Sequence, residues 1–344
     1  MALIKRLNEL RELLVSAENP LFFFDDDPDG LGAYLLLRKK AGKGHGIALK
    51  KGPGLESMIL RKIMELNPDR VFFLDVAVIE QDLLDKIRVP VAWLDHHPLV
   101  KREKVHYFNP RADDPKDTRC TTYWAYQVAE QKENEWIAAV GIISDWQIPE
   151  FLDKFEFKDL VGKPKAPGEA YFESEYGKLV KVFAFLLKGR TSDVKKNINI
   201  LLKIESPLEI LNQTTSRGKF LWKYFEQFDK EYSRIYKKAS ATEEDDGILL
   251  FTYPSNEETS FTSLLSNELM HKKDASVVIV ARIKEDMMLM SLRSKKVPIL
   301  PLLQKALKEV RGYGGGHDYS CGAGVNKDDL PTLLRIIREG LNKK

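Results

Sequence analysis

The sequence has few cysteines: Cys120 and Cys321 are the two in 344 residues. Two isolated thiols without Cys-x-x-Cys spacing exclude a disulfide-rich scaffold and a zinc site built on cysteine. We therefore expect both thiols to be reduced and structural, which favours a cytoplasmic protein.

Long apolar runs are also missing, since no stretch approaches the ~20 residues that span a bilayer. The first turns of the chain carry charges at Lys5, Arg6, Glu9, Arg11 and Glu12, a pattern that is not typical of a signal peptide. A strong charge of one sign is absent too, because the formal net charge is +3. A basic groove and an acidic cluster would cancel in that sum, so composition alone does not identify the ligand.

The sequence does contain apolar runs that each end at a carboxylate. Three of them, 20–24, 71–74 and 91–94, are typical of buried strands, and the fourth is the end of a helical pattern. The acidic and histidine residues that follow these runs are Asp25, Asp27, Asp29, Asp75, Asp95, His96, His97 and Asp145. Ligands bind outside the carboxyl ends of the strands in open α/β sheets, so we expect these side chains to converge.

Such a cluster predicts a metal site. Carboxylates packed together repel one another, and burying them without a partner is costly. Oxygen ligands combined with imidazole suit Mn²⁺, Mg²⁺ or Zn²⁺, which would remove that cost. Four such stretches can hold two ions ~3.5–4 Å apart, where they would activate water and stabilise a phosphoryl-transfer transition state.

The order and spacing of these residues resemble a known family. Asp25-x-Asp27-x-Asp29-Gly30, Asp75, Asp95-His96-His97 and Asp145 resemble motifs I to IV of the DHH phosphoesterase superfamily. Near the C-terminus, Gly314 to His317 followed by Cys321 to Gly324 resembles the glycine-rich motif of the accompanying DHHA1 domain. The resemblance covers about 1–150 and 245–344.

The resemblance and the chemistry together imply roles for the residues of the first region. We expect the metal ligands to be Asp27, Asp29, Asp75, His96, His97 and Asp145. The resemblance implies that Asp75 bridges the two ions. Asp95, His96 and Asp25 are the expected catalytic residues, the two aspartates acting by orienting a histidine or a water molecule.

The second region is expected to bind the substrate. Gly314, Gly315, Gly316 and His317 are predicted to form a loop whose backbone N–H groups suit a phosphate oxygen. Arg293 lies on a predicted strand that resembles the arginine-bearing strand of the family, and arginine can bind phosphate through two hydrogen bonds.

Motif I distinguishes branches of the superfamily. Phe23 stands where the small-substrate phosphatases usually have a histidine, and the remaining motif resembles that of RecJ-like single-strand exonucleases and their archaeal relatives. This resemblance implies an exonuclease on single-stranded DNA or RNA in DNA repair or replication, with Mn²⁺ or Mg²⁺ as two bound ions. It also implies a possible replisome or repair-helicase protein as partner. The alternatives are an oligoribonuclease or small-nucleotide phosphatase, and a replisome or helicase-associated scaffold without catalysis.

The fold expected from the pattern is α/β. Strands alternate with helices in the first part, which predicts a parallel sheet with flanking helices. We predict a parallel-sheet DHH domain at 1–150, a helical connector at 151–246 and a smaller α/β DHHA1 domain at 247–344. Thr121 and Thr122 are candidates for the cap of a helix that begins there.

Overall fold

A computed structural model of the chain describes residues 2–50, 52, 54–254 and 259–342. It divides into two compact units, Met1–Phe225 and Glu226–Lys344. The last two residues of the predicted DHHA1 domain and its stretch 255–258 lie outside the described residues. The α/β fold class is confirmed, whereas the division into three segments stays a prediction.

A parallel sheet forms the centre of the first unit, with its strands in the order β2-β1-β3-β4-β5. Its strands are β1 (Pro20–Asp25), β2 (His45–Leu49), β3 (Arg70–Leu74), β4 (Val91–Leu94) and β5 (His106–Phe108). The helices between them are α1 (Ala2–Ser16), α2 (Pro28–Ala41), α3 (Leu55–Leu66) and α4 (Gln81–Lys86). The predicted alternation of strands and helices is confirmed.

Both faces of this sheet are covered, because successive side chains of a strand point to opposite faces. Phe24 stacks on the ring of Tyr34 of α2, and Phe22 packs edge-on against the same ring. Phe23 points the other way and belongs to a core cluster with Ile59 of α3 and residues of α4. Burial on both faces explains why the strands are nearly continuous apolar runs.

The turn from β1 into α2 is built for close approach. Asp27 caps the helix by accepting a hydrogen bond from the N–H of Gly30 at 2.9 Å, and Pro28 occupies the first turn. A Cβ atom on Gly30 would lie 2.7 Å from the backbone oxygen of Asp25. Only glycine therefore allows the helix to start this close to the end of the strand.

Helices complete the first unit. They are α5 (Thr121–Ala129), α6 (Glu135–Ser144), α7 (Lys158–Val161), α8 (Pro167–Phe172), α9 (Glu175–Leu186), α10 (Thr191–Leu201) and α11 (Pro207–Leu211). The buried hydroxyl of Tyr176 on α9 donates to the carbonyl oxygen of Trp136 on α6 at 2.5 Å, which ties these two helices together within the first unit. The long helix α12 (Ser216–Ser240) contains the boundary between the two units.

The second unit has a mixed sheet in the order β6-β7-β8-β10-β9. The pair β6–β7 is parallel, and the other pairs are antiparallel. The strands are β6 (Ile248–Pro254), β7 (Val277–Lys284), β8 (Met287–Ser294), β9 (Gly312–His317) and β10 (Ser320–Asn326). Its helices are α13 (Thr262–Lys272), α14 (Ile299–Ala306) and α15 (Leu330–Leu341).

The predicted glycine-rich loop is wrong, because Gly312–His317 forms the exposed edge strand β9. It pairs with β10, so that Gly314 lies opposite Ala323 and Gly315 opposite Gly322. Three consecutive glycines have low strand propensity, and the pairing with β10 overrides that local preference. Within the described residues, every helix is too short or too polar to span a bilayer.

Candidate metal centre

Three aspartates end neighbouring strands at the same edge of the parallel sheet. Phe24 is in register with Leu74, and Leu74 with Leu94, so the residues that follow or end these strands lie side by side. They are Asp25, Asp75 and Asp95. Asp75 has left-handed backbone geometry with φ of 60°, and its N–H donates to the carbonyl of Leu94 at 3.0 Å. This fixed turn places the Asp75 carboxylate at the edge, where ligands bind in α/β folds.

Among the described residues, two overlapping groups could hold a metal ion, each with ligand atoms within 4.8 Å of one another. One group is Asp75, His96 and His97, and the other is Asp25, Asp27 and Asp75. Asp75 is common to both groups. The geometry therefore offers two adjacent positions for a cation that share one carboxylate, which suits a bridging ligand.

The two histidines lie against acidic groups. Nε2 of His96 is 3.5 Å from Oδ1 of Asp75, and Nδ1 of His97 is 3.9 Å from the same oxygen. On its other side, Nδ1 of His96 is 3.9 Å from Oδ2 of Asp145. That oxygen accepts a hydrogen bond from Gln147 at 2.9 Å. Asp145 at the end of α6 thus joins the cluster through His96.

Asp29 has a different environment from the other predicted ligands. It is buried, and its two oxygens accept hydrogen bonds from the backbone N–H groups of Thr121 and Thr122 at 3.0 and 2.8 Å. Its ligand atoms complete neither of the two groups found in the described residues. Asp29 still lies close enough for its negative charge to raise the pKa of Asp75 and Asp145.

The predicted caps of α5 are therefore wrong. The residue at the cap position is Cys120, which makes no side-chain capping hydrogen bond. The carboxylate of Asp29, on α2, satisfies the first N–H groups of α5 instead, as an anion at a helix N-terminus does. The hydroxyl of Thr121 is then left to donate to Oδ1 of Asp75 at 3.0 Å.

Thr122 sets the spacing of three helices around this point. Its hydroxyl donates to the carbonyl of Asp29 at 2.6 Å. A Cβ on Gly32 of α2 would lie 2.7 Å from that hydroxyl, and one on Gly141 of α6 would lie 2.3 Å from it. In the sequence, a glycine inside a helical pattern indicates that another group approaches the helix closely, but it does not identify that group as Thr122.

Asp95 is held by a network that sequence reasoning missed. The side chain is fully buried and accepts from Nδ1 of His97 at 2.7 Å and from the His97 N–H at 3.1 Å. The hydroxyl of Tyr107 and the amide of Asn109 donate to it, both at 3.2 Å. No local pattern identifies Tyr107 and Asn109, because both come from the edge strand β5 and its exit. Asp95 therefore orients a neighbouring imidazole.

Burial and mutual repulsion shift the pKa values of the cluster. Burial raises the pKa of Asp75 well above its ordinary value, and the charges of Asp29, Asp27, Asp25 and Asp95 raise it further. Burial, followed by the charges of Asp29 and Asp27, does the same to the pKa of Asp145.

The two histidines respond in opposite ways. Burial lowers the pKa of His96. Burial also disfavours the charged form of His97, but its hydrogen bond to Asp95 outweighs this and raises the pKa.

These residues fit divalent cations. The protein alone leaves several carboxylates near one another in a buried site, which is the arrangement that bound cations stabilise. Nδ1 of His96 is buried and has no hydrogen-bond partner within the part of the chain that the structure describes. Carboxylate oxygen combined with imidazole nitrogen is a donor set that Mn²⁺ and Zn²⁺ accept readily, whereas Mg²⁺ prefers oxygen.

Arg293 on β8 is the predicted phosphate-binding residue of the second unit. Its guanidinium donates to Oδ1 of Asn267, to Oγ of Ser263 at 2.9 Å and to the carbonyl of Leu292 at 2.9 Å. No acidic side chain pairs with it in the described ranges. Burial lowers the pKa of Arg293 to about 10. A partly buried cation that is held by neutral groups retains its attraction for an anion.

The three predicted glycines differ in whether the structure leaves room for a Cβ atom. A Cβ on Gly314 would lie 2.9 Å from the carbonyl of Gly322, and one on Gly316, with φ of 144°, would lie 2.4 Å from the carbonyl of Ser320. A Cβ on Gly315 would meet nothing within 4 Å. Pairing with β10 therefore explains Gly314 and Gly316 but not Gly315. His317 ends the strand, and its carbonyl accepts from Cys321 Sγ at 3.3 Å.

A cavity of about 570 Å³ lies elsewhere in the first unit, between β2, α3 and α10. None of the sequence-predicted site residues lines it. The candidate metal centre is thus defined by its ligand geometry.

Comparisons with known proteins identify the domain of the second unit and the fold of the chain. A family model described as the DHHA1 domain matches residues 246–343. No curated protein matches the sequence.

Among solved structures, RecJ from Thermus thermophilus in complex with Mn²⁺ has a TM-score of 0.70 at 14% identity. The match covers 98% of this chain but 54% of that protein, so this chain spans about half the length of the Thermus RecJ.

Two further solved structures match over most of both chains. Exonuclease RecJ bound to manganese has a TM-score of 0.64 at 15% identity, with 100% of this chain and 95% of the other covered. The DHH domain of a protein described as a member of a ribosomal protein family has a TM-score of 0.70 at 15% identity, with 99% and 91% covered. These likenesses establish the fold.

Proposed function

Because the chain has the DHH/DHHA1 fold of RecJ-like proteins, we propose that it is a metal-dependent phosphodiesterase, an exonuclease on single-stranded DNA or RNA. The observation that carries the proposal is the pair of ligand groups sharing Asp75 at the carboxyl edge of the parallel sheet. A site with two adjacent cation positions is suited to in-line displacement at phosphorus.

We assign Asp27, Asp29, Asp75, His96, His97 and Asp145 as the residues that would hold Mn²⁺ or Mg²⁺ as two ions, with Asp75 as the residue common to both ligand groups. When bound, these ions would supply an activated water molecule and neutralise the charge that develops on the phosphate. Mn²⁺ should be the better activator, because the site mixes imidazole with carboxylate.

The residues of the chain position these groups. Asp95 fixes the ring of His97 through a 2.7 Å contact with Nδ1. Thr121 fixes Asp75 in the same way through its hydroxyl. Asp25 shares a ligand group with Asp27 and Asp75, so we assign it to positioning a water molecule or a cation. Restraint of the ligands by a second layer of hydrogen bonds is what tunes such sites.

The second unit supplies the groups that bind the nucleic acid. Arg293 would bind a phosphate, since it is a cation without an acidic partner in the described residues. Gly315 lies on the exposed edge strand with open space at its Cβ position, so a phosphate can approach the backbone there, and Gly314, Gly316 and His317 complete the strand. Phosphate contacts of this kind hold the strand without reading its sequence.

Phe23 favours this reading over a small-substrate phosphatase. Its side chain is fully buried and stacks on Phe73 with ring centroids 5.3 Å apart. It therefore belongs to the core and leaves the metal centre without a ligand at that position. A role in repair or replication, and a replisome or helicase protein as partner, belong to the same proposal.

The test is digestion of a substrate panel by the purified chain in Mn²⁺. The panel contains end-labelled single-stranded DNA, single-stranded RNA, a blunt duplex, a dinucleotide and a mononucleotide. The proposal expects stepwise shortening of a single strand and little action on the duplex. Rapid hydrolysis of the dinucleotide or mononucleotide with an intact longer strand would favour the small-substrate alternative. Binding of the single strand without cleavage would favour the alternative of a non-catalytic replisome or helicase-associated scaffold.

A further inference from the structure

Trp146 is an exposed aromatic residue beside the candidate metal centre. It follows Asp145 directly, so their Cα atoms are about 3.8 Å apart. Its relative exposure is 37%, whereas Trp93, Trp124 and Trp136 are buried. Trp146 is thus an exposed indole on the residue that follows a predicted metal ligand.

The backbone of Trp146 is strained. Its φ of 58° lies in the left-handed region, where a large side chain is disfavoured and glycine or asparagine is the usual choice. The conformation is held at the end of α6, since the N–H of Trp146 donates to the carbonyl of Ile143 at 3.2 Å and that of Gln147 to Ile142 at 3.1 Å. Strain of this kind persists only where the surrounding structure holds it, here at the end of α6.

An aromatic pair supports the indole from behind. The ring of Phe172 on α8 lies 5.9 Å from that of Trp146, and the ring of Tyr171 lies 6.4 Å away. Tyr171 and Phe172 are themselves stacked at 4.3 Å with 3° between their planes. Nζ of Lys181 lies 5.6 Å from the centre of the Phe172 ring, which places a cation at the same aromatic group.

Packing of α8 alone does not require this arrangement. A smaller apolar residue would pack on Phe172 without leaving an indole edge in solvent, and an asparagine or glycine would remove the backbone strain. A flat aromatic surface, a nearby cation and adjacency to the cleavage site are together the features of a single-strand binding platform. Bases stack on such rings whatever their sequence.

We propose that Trp146, supported by Phe172, is the stacking platform for a nucleobase of the strand being cleaved. The inference rests on the proposed function and names the part of the substrate that the first unit recognises. Trp146 acts as a positioning residue: stacking orders the nucleotide next to the scissile phosphate, and the chemistry is left to the metal centre.

The test compares Trp146→Ala and Trp146→Phe with the unchanged protein on two oligonucleotides of equal length. One is oligo(dT), and the other has abasic sites at its terminal nucleotides, so the phosphates are the same and the bases differ. Trp222→Ala, on α12, is the matched control for loss of a partly exposed tryptophan. Circular dichroism and the melting temperature of each variant show that the fold is retained.

The inference predicts that Trp146→Ala raises KM for oligo(dT) roughly 5- to 150-fold, the range for loss of one stacked base. Trp146→Phe should retain most of the affinity. On the abasic strand, KM of Trp146→Ala should equal that of the unchanged protein, and Trp222→Ala should alter neither substrate. Oligo(dT) should also quench part of the tryptophan fluorescence of the unchanged protein but not that of Trp146→Phe.

Two results distinguish failure of the stacking platform from failure of the proposed exonuclease function. If the unchanged protein cleaves oligo(dT) and Trp146→Ala has the same KM, or loses affinity equally for both strands, the stacking platform is refuted while the exonuclease stands. If the unchanged protein neither binds nor cleaves either strand, the proposed function fails and the platform fails with it. Fluorescence anisotropy of labelled oligonucleotides measures binding independently of cleavage in both cases.

Discussion

Oδ1 of Asp95 lies 2.7 Å from Nδ1 of His97, while the same nitrogen is 3.9 Å from Oδ1 of Asp75. A carboxylate acceptor at 2.7 Å requires that Nδ1 carries the proton, which leaves the lone pair of the ring on Nε2. A fully buried carboxylate thus selects the tautomer of a predicted metal ligand. The pairing of an acid with a ligating imidazole is the usual way to fix ring orientation in metal sites.

Asp95→Asn should lower activity without abolishing metal binding. The substitution keeps the shape but replaces the acceptor that orients His97, so we expect metal affinity or turnover to fall about 10- to 100-fold. Calorimetric titration with Mn²⁺ and steady-state kinetics measure the two effects. Glu80→Gln, an exposed acid in the first unit, is the control and should change neither. Metal affinity and turnover both equal to those of the unchanged protein would refute the orienting role.

Asp75→Asn should have opposite effects on stability with and without metal. Asparagine tolerates the left-handed backbone that Asp75 adopts, so the substitution removes charge with little strain. In the metal-free protein it relieves repulsion among buried carboxylates and should raise the free energy of unfolding by on the order of 1 kcal/mol. In saturating Mn²⁺ it removes the shared ligand, so the gain in stability on metal binding should shrink. Denaturant unfolding with chelator and with Mn²⁺ measures both, and a loss of stability in chelator would contradict the repulsion argument.

Arg293→Ala should weaken binding more than turnover. The lost charge-assisted contact is worth about 1.5–3 kcal/mol, which corresponds to a rise in KM of roughly 10- to 150-fold. Because the contact is present in the ground state and the transition state, kcat should change little. The slope of binding against the logarithm of salt concentration should also fall by about 1.

The control for Arg293 is Arg335→Ala. Arg335 is an exposed residue of α15 that pairs with Glu309 and Glu339. Its loss should leave KM and the salt slope unchanged. If Arg293→Ala gives the same result as Arg335→Ala, Arg293 does not bind the phosphate backbone.

Gly315→Ala should change substrate binding, whereas Gly316→Ala should lower stability. Gly315 has open space at its Cβ position, so alanine there should preserve the fold or stabilise the strand by about 0.5–1 kcal/mol. It should nevertheless raise KM if a phosphate approaches this backbone. Gly316 has φ of 144° and a carbonyl in the way, so alanine there should cost about 1–3 kcal/mol of stability. Thermal unfolding beside KM for single-stranded DNA separates the two effects, and an unchanged KM for Gly315→Ala would exclude contact at that residue.

Sequence periodicity predicted most of the architecture of the first unit. The strands Pro20–Asp25, Arg70–Leu74 and Val91–Leu94 lie at the apolar runs that the sequence indicated, because such signals are local. The structure places Asp25 and Asp27 with Asp75 in one group and the two histidines with Asp75 in the other, since parallel strands share one edge.

The missed features depend on contacts between distant parts of the chain. Strand β9 exists because β10 pairs with it, although its own glycines disfavour a strand. Asp29 caps α5 across 92 residues of sequence, and Asn109 reaches Asp95 from the exit of β5. No pattern within one segment reports such partners, so these parts of the site required the structure.

The measurement that tests the central claim most directly is hydrolysis of end-labelled single-stranded DNA by protein stripped of metal with a chelator. The account predicts no cleavage after stripping, recovery on addition of Mn²⁺ or Mg²⁺, and a loss of about 100-fold or more in His96→Ala at the same Mn²⁺ concentration. A melting curve of His96→Ala confirms that the variant is folded. Full activity of the stripped protein, or an unchanged rate in folded His96→Ala, would contradict the assignment of a metal-dependent phosphodiesterase to this site.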